Sequence, residues 1–336
     1  MNKTVSVIIP CYNGEQFIDR CLNSVVSQDY PSIEIIIVND GSTDKSEEKV
    51  LAWKNELENT GRSLIYVSQE NKGPAAAINA GLKYVSGEYI SLLDVDDEYL
   101  PGAISTRVKF LNEHSDIDVV RSNGWYVRGE NRSLFIYDEK EKNIQDVFSA
   151  LIEGKTNNWA GSYTIRTSAF FEFYPDREIF QSRYGQNLQI LLPLVYRKRC
   201  GYIDEPQMNY NQQEDSLSRT SDARNQKEFL LTNQNGYREI REYMINLIVR
   251  DEKEKEHFFL LVKKLYLRSS MQIALTFNDV FLMKDSFNGL KGMKTLIIDD
   301  YITYCRLLHP KVILFLRLCR KIKTISVRLF HKRIDT

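Results

Sequence analysis

Short apolar runs alternate with amphipathic segments along the first hundred residues. Three runs have the length and the nearly continuous apolar character of strands covered on both faces: residues 5–9, 33–38 and 64–67. Between and after them, apolar residues recur at three- and four-residue spacing, which predicts helices at residues 17–26, 44–57 and 74–85. Strands that alternate with helices across short loops are typical of βαβ units. The pattern therefore predicts an α/β protein with a mainly parallel sheet.

The alternation is looser after residue 97, and strand patterns end near residue 221. We predict a helix at 101–112, strands at 119–122 and up to 136, a helix at 185–199 and a short strand at 201–203. Long helical patterns follow at 228–250 and 254–273. The polar, Ser-rich stretch at 214–224 predicts a boundary, with one domain at 1–219 and a helical C-terminal region at 220–336.

The apolar run that begins at Tyr89 ends in three carboxylates, Asp94, Asp96 and Asp97. In an open α/β sheet, ligands bind at the carboxyl ends of the strands. Carboxylate oxygens suit Mg²⁺ or Mn²⁺, and such an ion is commonly shared with the phosphates of a substrate. A metal site for a phosphorylated substrate is one interpretation, and a solvated acidic turn is the alternative.

Two other loops, at residues 10–14 and 39–42, are expected at the same edge, because parallel strands bring their carboxyl ends together. Tyr12 offers an aromatic face to a base, Asp40 an acceptor for a base N–H, and Asp96 a ligand for a divalent ion on a diphosphate. Taken singly, Tyr12 is better explained as a half-buried loop aromatic, and Asp40 as a turn residue. Together, the loops favour a site for a nucleoside diphosphate.

Four successive motifs resemble those of family 2 glycosyltransferases with the GT-A fold. They are VSVIIPCYN at 5–13, IVNDGSTD at 37–44, NKG at 71–73 and LDVDD at 93–97. The resemblance, which extends to about residue 219, implies a Rossmann-like, mainly parallel sheet with a helical C-terminal extension. It also implies an inverting enzyme of surface polysaccharide synthesis. The implied donor is a nucleotide sugar, most often UDP-linked, and the implied acceptor is a glycan or a lipid-linked acceptor.

The matching positions imply roles for individual residues. The donor-binding residues would be Pro10, Tyr12, Asn13, Asp40, Lys72 and Asp94. Asp96 would act in catalysis by holding the Mn²⁺ or Mg²⁺ ion that neutralises the leaving diphosphate. For Asp97, capping of the next turn is the alternative.

One departure from the family's pattern concerns the general base that inversion requires. In the family this base is typically the Asp of a Glu-Asp pair that opens a helix, but the matching positions here are Gln186 and Asn187. The two amides resemble a variant found in a subgroup, so we expect an active enzyme with a modified acceptor site. The alternatives are a nearby carboxylate, Asp176 or Glu178, an acceptor activated in another way, a donor-binding pseudoenzyme, and two amides that only form a polar helix start.

A second departure lies in residues 210–218, which resemble the family's closing segment. Asn211 and Gln213 stand where family members often carry Arg and His. A His that can lie near the metal is therefore missing from this motif. A solvated linker is the alternative for this segment.

Two other classes of protein fit the acidic strand end less well. A sugar nucleotidyltransferase usually needs a Gly-rich loop with Arg and Lys after the first strand, and residues 10–17 contain neither basic residue. A phosphoacceptor signalling domain is far shorter than this chain and has no role for Tyr12.

The composition of the 336 residues, 43% hydrophobic and 27% charged, is that of an ordinary globular protein. With 45 basic and 45 acidic residues, the chain has no net charge to attract nucleic acid. Five widely spaced cysteines predict a reducing, cytoplasmic setting rather than disulfides or zinc. The first apolar run is too short for a signal peptide, and no run reaches the roughly eighteen residues that span a bilayer, so we expect only peripheral membrane contact.

The last segment, residues 311–333, contains eight basic residues and no acidic one. Its apolar residues recur at three- or four-residue spacing, which predicts a basic amphipathic helix; they are Phe315, Leu318, Ile322, Ile325 and Leu329. We expect this helix to lie on an anionic membrane surface, at the inner face of the membrane. The alternatives are packing on the protein itself and a homodimer contact.

Overall fold

The computed structural model describes residues 3–59, 63–212 and 225–311. Contacts divide the chain into two compact units. The first unit is Met1–Arg219 with Glu239–Phe258, and the second is Thr220–Arg238 with Phe259–Thr336. The helical patterns of the sequence gave no sign that Glu239–Phe258 belongs with the first unit. The division into a domain at 1–219 and a C-terminal region at 220–336 stays a prediction.

Nine strands of the described chain form one sheet in the first unit. In chain order they are β1 (Val5–Cys11), β2 (Ile33–Asp40), β3 (Leu64–Gln69), β4 (Tyr89–Leu92), β5 (Glu98–Tyr99), β6 (Val119–Arg128), β7 (Asn131–Leu134), β8 (Tyr163–Arg166) and β9 (Gly201–Asn211). Across the sheet the order is β3, β2, β1, β4, β8, β6, β9, β5, with β7 paired to β6.

Helices alternate with the first strands and dominate the end of the described chain. They are α1 (Ile18–Val26), α2 (Ser46–Asn59), α3 (Pro74–Leu82), α4 (Ala103–Glu113), α5 (Glu139–Lys142), α6 (Val147–Ile152), α7 (Thr167–Phe173), α8 (Gln186–Val195), α9 (Gln226–Ile248), α10 (Glu252–Thr276), α11 (Val280–Gly292) and α12 (Ile298–Leu308).

The first four strands form the parallel part of the sheet. Val5 of β1 lies opposite both Ile33 of β2 and Tyr89 of β4, and β3 pairs in parallel with β2. The apolar side chains of β1 are buried, as expected for a strand covered on both faces. Helix α3 packs closely on one face, since a Cβ added at Gly81 would lie 2.7 Å from Cγ2 of Ile8. The predicted α/β fold class is confirmed.

The rest of the sheet is mixed. Strand β8 runs antiparallel to both β4 and β6, and β5 runs antiparallel to β9. Strands β6 and β9 are parallel, with register shifts on either side of Asn123. The first strands are therefore joined through β8 to a second, irregular half of the same sheet.

Strand β1 runs two residues further than predicted, through Pro10 to Cys11. The ladder with β4 ends earlier, opposite Ile8, whose carbonyl accepts from the Leu93 N–H at 3.1 Å. The backbone N–H and C=O groups of residues 8 and 10 point towards the same neighbouring strand, β4. At residue 10, however, β4 has already ended, so no ladder partner faces the missing N–H of Pro10. It therefore removes no hydrogen bond from the sheet.

Three further differences concern β9, β8 and α8. The predicted strand at 201–203 extends as β9 to Asn211, where the Asn209 amide is buried and donates to Glu98 Oε1 at 2.8 Å. Strand β8 was not predicted, because its Thr164 hydroxyl is buried against that of Ser91, at 2.6 Å. Helix α8 ends at Val195, short of the predicted residue 199.

The second unit is helical. Its core consists of Leu267, Met271, Ala274, Met283, Phe287 and Leu290. Arg268 on α10 donates to Asp300 Oδ1 at 3.0 Å, and Asp300 Oδ2 accepts from the Ile297 N–H at the start of α12. None of the helices in the described ranges is both long and apolar enough to span a membrane. The predicted basic helix at 311–333 lies outside the described residues except for Lys311.

Candidate functional site

Four loops follow the parallel strands β1 to β4 at one edge of the sheet. We call them the loop cluster: residues 12–14, 41–45, 70–73 and 93–97. The first two loops are tied by Asn13, whose N–H donates to Ser42 Oγ at 3.0 Å and whose Oδ1 accepts from the Thr43 N–H at 2.9 Å. Asn13 has a φ of 50°, a left-handed conformation that asparagine tolerates better than most residues. The predicted approach of these loops is therefore present, and the side chain of Asn13 holds it.

Asp40 connects the second loop to the third. Its Oδ1 accepts from Gln69 Nε2 at 2.7 Å and from the Lys72 N–H at 2.9 Å, and its Oδ2 accepts from the Gly73 N–H at 2.8 Å. The carboxylate is only 4% exposed, and its two oxygens have about four acceptor positions. Three are filled, which leaves one for a ligand. Asp40 thus fixes the backbone around Lys72 as well as offering the acceptor predicted from the sequence.

The acidic loop after β4 packs on the loop after β1. A Cβ added at Gly14 would lie 3.0 Å from Cγ2 of Val95, so these two loops touch. A guanidinium nitrogen of Arg20, on α1, donates to the Asp96 carbonyl at 2.5 Å. Tyr12 is 42% exposed, so its ring is open to a ligand at this edge. The three side chains on which the nucleotide hypothesis depends, Tyr12, Asp40 and Asp96, therefore belong to one connected set of loops.

The pKa values of the three carboxyl groups of this loop are all raised above the ordinary value. Burial, with a contribution from Asp96, raises the pKa of Asp94 to about 7. Burial also raises the pKa of Asp96, although the charge of Arg20 acts in the opposite direction. The pKa of Asp97 is raised well above its ordinary value by burial and by its two acidic neighbours. Close carboxylates with raised pKa values form a local excess of negative charge that a cation would relieve.

The acidic loop fits a metal that is shared with a substrate. Within the described ranges, no cluster of three or more His, Cys, Asp or Glu side chains could hold a metal ion unaided. Mg²⁺ and Mn²⁺ are often held by one or two carboxylates together with substrate phosphates and water, and Asp94 and Asp96 offer that donor set. Asp97 is less suitable, because its Oδ1 accepts from the Asn211 N–H at 2.8 Å. Asp97 and Asn211 connect the acidic loop to the end of β9.

Gln186 and Asn187 begin α8, and only Asn187 is bonded to the core beside the acidic loop. The Tyr163 hydroxyl donates to Asn187 Oδ1 at 2.5 Å. Tyr163 lies one residue before Thr164, which pairs with Ser91, so it lies near the end of β4. Burial, with the charge of Asp94, holds the pKa of Tyr163 well above its ordinary value. Gln186 instead donates to the Ser182 carbonyl at 3.4 Å.

The two carboxylates considered as substitute bases, Asp176 and Glu178, are exposed. Glu178 pairs with Lys83 Nζ at 3.1 Å, just after the carboxyl end of α3, whereas the loop cluster lies at the amino end of that helix. Further along, Asn79 exchanges two hydrogen bonds with the backbone of Ile179, of 2.8 and 2.9 Å. This placement gives no support to Asp176 or Glu178, and the identity of the base stays a prediction.

Sequence reasoning missed several residues that build the site. Arg20 and Tyr163 contribute through their bonds to Asp96 and Asn187, and Ser46 accepts from the Gly14 N–H at 2.8 Å. None of them lies in a run of chemically unusual residues, and Tyr163 follows no strong strand pattern. Residues 213–224, which include the predicted closing segment after Gln212, lie outside the described residues.

The sequence model of the family described as glycosyl transferase family 2 matches residues 6–180. This is more than half of the 336-residue chain. The chain belongs to this family. The predicted resemblance to this family is confirmed.

Two curated relatives match over part of their own length. An uncharacterized glycosyltransferase of Rickettsia typhi is 40% identical over 116 residues, which is 34% of this chain and 34% of that protein. The minor teichoic acid biosynthesis protein GgaB of Bacillus subtilis is 28% identical over 240 residues, 67% of this chain and 25% of that protein. This chain therefore spans about a third or less of the length of these relatives.

Solved structures show the same fold. S. aureus TarS 1-349 in complex with UDP-GlcNAc has a TM-score of 0.61 at 19% identity, covering 85% of this chain and 81% of that one. Mannosyltransferase PcManGT from Pyrobaculum calidifontis, in complex with GDP-Man and Mn²⁺, has a TM-score of 0.54 at 16% identity, covering 97% and 85%. Together with the family match, these structures confirm the predicted GT-A fold with a helical extension.

Proposed function

We propose that this protein transfers a sugar from a nucleoside diphosphate sugar, UDP-linked, to a glycan or lipid-linked acceptor of a surface polysaccharide. The single observation that carries the proposal is the convergence of the loop cluster. An exposed aromatic ring, a nearly filled carboxylate acceptor and an acidic loop lie at one sheet edge; hydrogen bonds connect the first three loops, and the contact of Gly14 with Val95 connects the acidic loop. These are the parts that a base, a ribose and a diphosphate require.

The relatives support the donor class and the general setting. TarS, of the same fold, is described in complex with UDP-GlcNAc, and PcManGT in complex with GDP-Man. GgaB is named for teichoic acid biosynthesis, which is a cell-surface polymer pathway. By motif position, Pro10, Tyr12 and Asn13 would contact the nucleoside with Asp40, while Lys72 and Asp94 would lie near the diphosphate and sugar.

A divalent ion, Mn²⁺ or Mg²⁺, fits the acidic loop. Asp96, with Asp94 beside it, would hold the ion, which stabilises the negative charge of a leaving diphosphate when it is bound. PcManGT, which has the same fold, is described with Mn²⁺. Arg20, at the carbonyl of Asp96, keeps the loop backbone in place.

We further propose that transfer inverts the anomeric carbon and that Gln186 and Asn187 receive the acceptor. A single displacement gives inversion when donor and acceptor are held on opposite sides of the reacting carbon. Asn187 supports this role, because its hydrogen bond to Tyr163 holds it beside the acidic loop. Neither amide can remove a proton at neutral pH, so the base is another group.

A second candidate function is a donor-binding protein without turnover. The observation that favours it is the amide pair, Gln186 and Asn187, at the position where the family typically carries two carboxylates. A carboxylate that removes a proton contributes typically about 10²–10⁴-fold to a rate. A protein without it would still bind a nucleotide sugar.

A thermal-shift panel of nucleotides and nucleotide sugars, with and without Mn²⁺, tests donor class and metal together. We expect UDP and UDP-sugars to raise the melting temperature only when metal is present, because metal and diphosphate share ligands. The same panel with GDP and CDP derivatives is the control for preference between nucleobases. Stabilisation by none of these ligands would contradict the proposal.

Turnover separates the enzyme from the binding protein. We expect release of UDP from a UDP-sugar in the presence of acceptor glycan and Mn²⁺. Binding without any release across a panel of acceptors would favour the second candidate.

A further inference from the structure

The hydrogen bond between Tyr163 and Asn187 determines which atom of the Asn187 amide is available to a ligand. The two oxygens are 2.5 Å apart, a separation found for O–H···O bonds and too short for N–H···O bonds. Tyr163 therefore donates, and Asn187 accepts with Oδ1. The two ends of a side-chain amide diverge, so Nδ2 is the end left for a ligand.

Tyr163 is held firmly in this role. Its side chain is fully buried, and burial together with the charge of Asp94 keeps its hydroxyl protonated at any ordinary pH. It belongs to β8, which is paired on both sides, with β4 and with β6. The position of the hydroxyl is thus set by the sheet and not by α8.

Asn187, by contrast, is only partly buried and lies in the first turn of α8. Gly185 precedes the helix with a φ of 68°, and a Cβ there would lie 2.7 Å from Cγ2 of Ile240. The first turn of α8 carries no acidic residue. With Oδ1 engaged by Tyr163, the polar group that Asn187 still offers in this turn is the Nδ2 N–H donor.

We propose that Tyr163 is a positioning residue that orients the Asn187 amide so that Nδ2 donates a hydrogen bond to an oxygen of the acceptor. This inference rests on the proposed function and goes further, because it states how the acceptor is received. The Asn187 Nδ2 group then donates a hydrogen bond to the oxygen of the acceptor hydroxyl, or to a neighbouring oxygen on the same sugar. It orients the nucleophile and takes no proton from it.

A double-mutant cycle tests the coupling. Tyr163→Phe removes the hydroxyl and lets the amide rotate, so we expect kcat to fall about tenfold with an unchanged KM for the donor. Asn187→Ala should lower kcat by a similar factor. Because Tyr163 acts through Asn187, Tyr163→Phe should have no further effect in the Asn187→Ala background. Independent, multiplying losses would overturn the proposal.

Tyr174→Phe is the matched control. Tyr174 is also buried, and its hydroxyl donates to the Gln189 carbonyl of α8 at 2.8 Å. This change removes a tyrosine hydroxyl that donates to the same helix, α8, and it leaves the hydrogen bond to Asn187 intact. We expect its effect, on stability or on kcat, to combine independently with that of Asn187→Ala. Equal coupling of both tyrosines would indicate general loosening of α8 and would overturn the specific role of Tyr163.

A pH profile gives a readout that a merely structural role would not move. Asn187→Asp places a titratable group in the same hydrogen bond, so activity should gain a new dependence on the ionisation of that carboxyl. The Tyr163 hydroxyl favours the charged form of a carboxylate that it donates to. Adding Tyr163→Phe should therefore raise the apparent pKa of this new transition. An unchanged transition would contradict the proposal.

A direct readout separates this inference from the proposed function. The side-chain amide signals of Asn187 in a ¹H–¹⁵N spectrum are identified by their loss in Asn187→Ala. They should shift in Tyr163→Phe and stay in place in Tyr174→Phe. If the wild-type protein turns over no nucleotide sugar, the proposed function fails, and these signals alone decide the Tyr163–Asn187 contact. Signals unmoved by Tyr163→Phe would overturn it.

Discussion

The loop cluster and the start of α8 differ in the charge they carry. The loop cluster contains Asp94, Asp96 and Asp97, and burial raises the pKa of each. The start of α8 offers the neutral Gln186 and Asn187, with the Tyr163 hydroxyl behind them. Electrostatic stabilisation is therefore concentrated where a diphosphate would leave, and the other side acts by neutral hydrogen bonds. For the proposed transfer, this difference predicts a reaction that depends more on leaving-group departure than on a strongly activated nucleophile.

The largest expected effect follows from removing charge from the loop cluster. Asp96→Ala should lower turnover of a nucleotide sugar by about a hundredfold or more at saturating Mn²⁺, because the ion loses a carboxylate ligand. The measurement is the rate of nucleotide release. Asp29→Ala, at an exposed position after α1, is the control and should keep full turnover. Equal rates for both variants would show that the charge of the loop cluster does not contribute to turnover.

The next effect concerns the architecture of the loops. Asp40→Ala leaves Gln69 Nε2 and the N–H groups of Lys72 and Gly73 without their acceptor. We expect a loss of about 2–4 kcal/mol in the free energy of unfolding, measured with urea, together with weaker donor binding. Gln69→Ala removes one of the three bonds and should cost about 1 kcal/mol. A smaller loss for Asp40→Ala than for Gln69→Ala would show that the loop does not depend on this carboxylate.

A smaller effect depends on pH. The pKa of Asp94, about 7 in the folded protein, lies above that of an unfolded aspartate, so the folded state binds the proton more tightly. The resulting stability is complete at pH values below the unfolded pKa and is lost as pH rises towards 7. Without metal, Asp94→Asn should therefore melt at a higher temperature than the wild type, by a margin that grows from about pH 4 to 7. Mn²⁺ should reduce the margin; a margin independent of pH would contradict this assignment.

The smallest effect on chemistry is expected from the basic tail. Deleting residues 310–336 should move the protein from the membrane to the soluble fraction, because each basic residue near an anionic surface contributes about 1 kcal/mol of attraction. Donor affinity should stay the same, whereas use of a lipid-linked acceptor should fall. Replacing Arg317, Lys321, Arg328 and Lys332 by Gln is the matched variant, and co-sedimentation with anionic vesicles is the measurement. An unchanged distribution would defeat the membrane hypothesis.

The loop cluster could be predicted from the sequence because it is built from short, contiguous motifs. Tyr12, Asp40 and Asp96 each follow a buried parallel strand, and parallel strands bring their ends together. The strand pattern also predicted the fold class. The roles of Asn13 and Asp40 in holding neighbouring loops were not predictable, since a hydrogen bond between loops leaves no local pattern.

The start of α8 could be recognised only as a departure from a family motif. Its partner Tyr163 lies 24 positions away, on a strand whose buried Thr164 does not fit a simple apolar pattern. Likewise, Pro10 ended the predicted first strand too early, because only the register with β4 shows that its missing N–H is harmless. These features depend on pairing between distant segments, which periodicity along the chain does not encode.

The two hydrogen bonds between Asn79 and Ile179 join α3, which packs on the parallel part of the sheet, to the segment that leads into α8. The Asn79 amide donates to the Ile179 carbonyl and accepts from the Ile179 N–H, as a strand backbone would. This pair of bonds fixes the position of the Ile179 segment along α3. Substitutions at position 79 would shift α8 without altering any group at the reaction centre. We therefore expect substitutions in α3, outside the proposed acceptor site, to change acceptor preference.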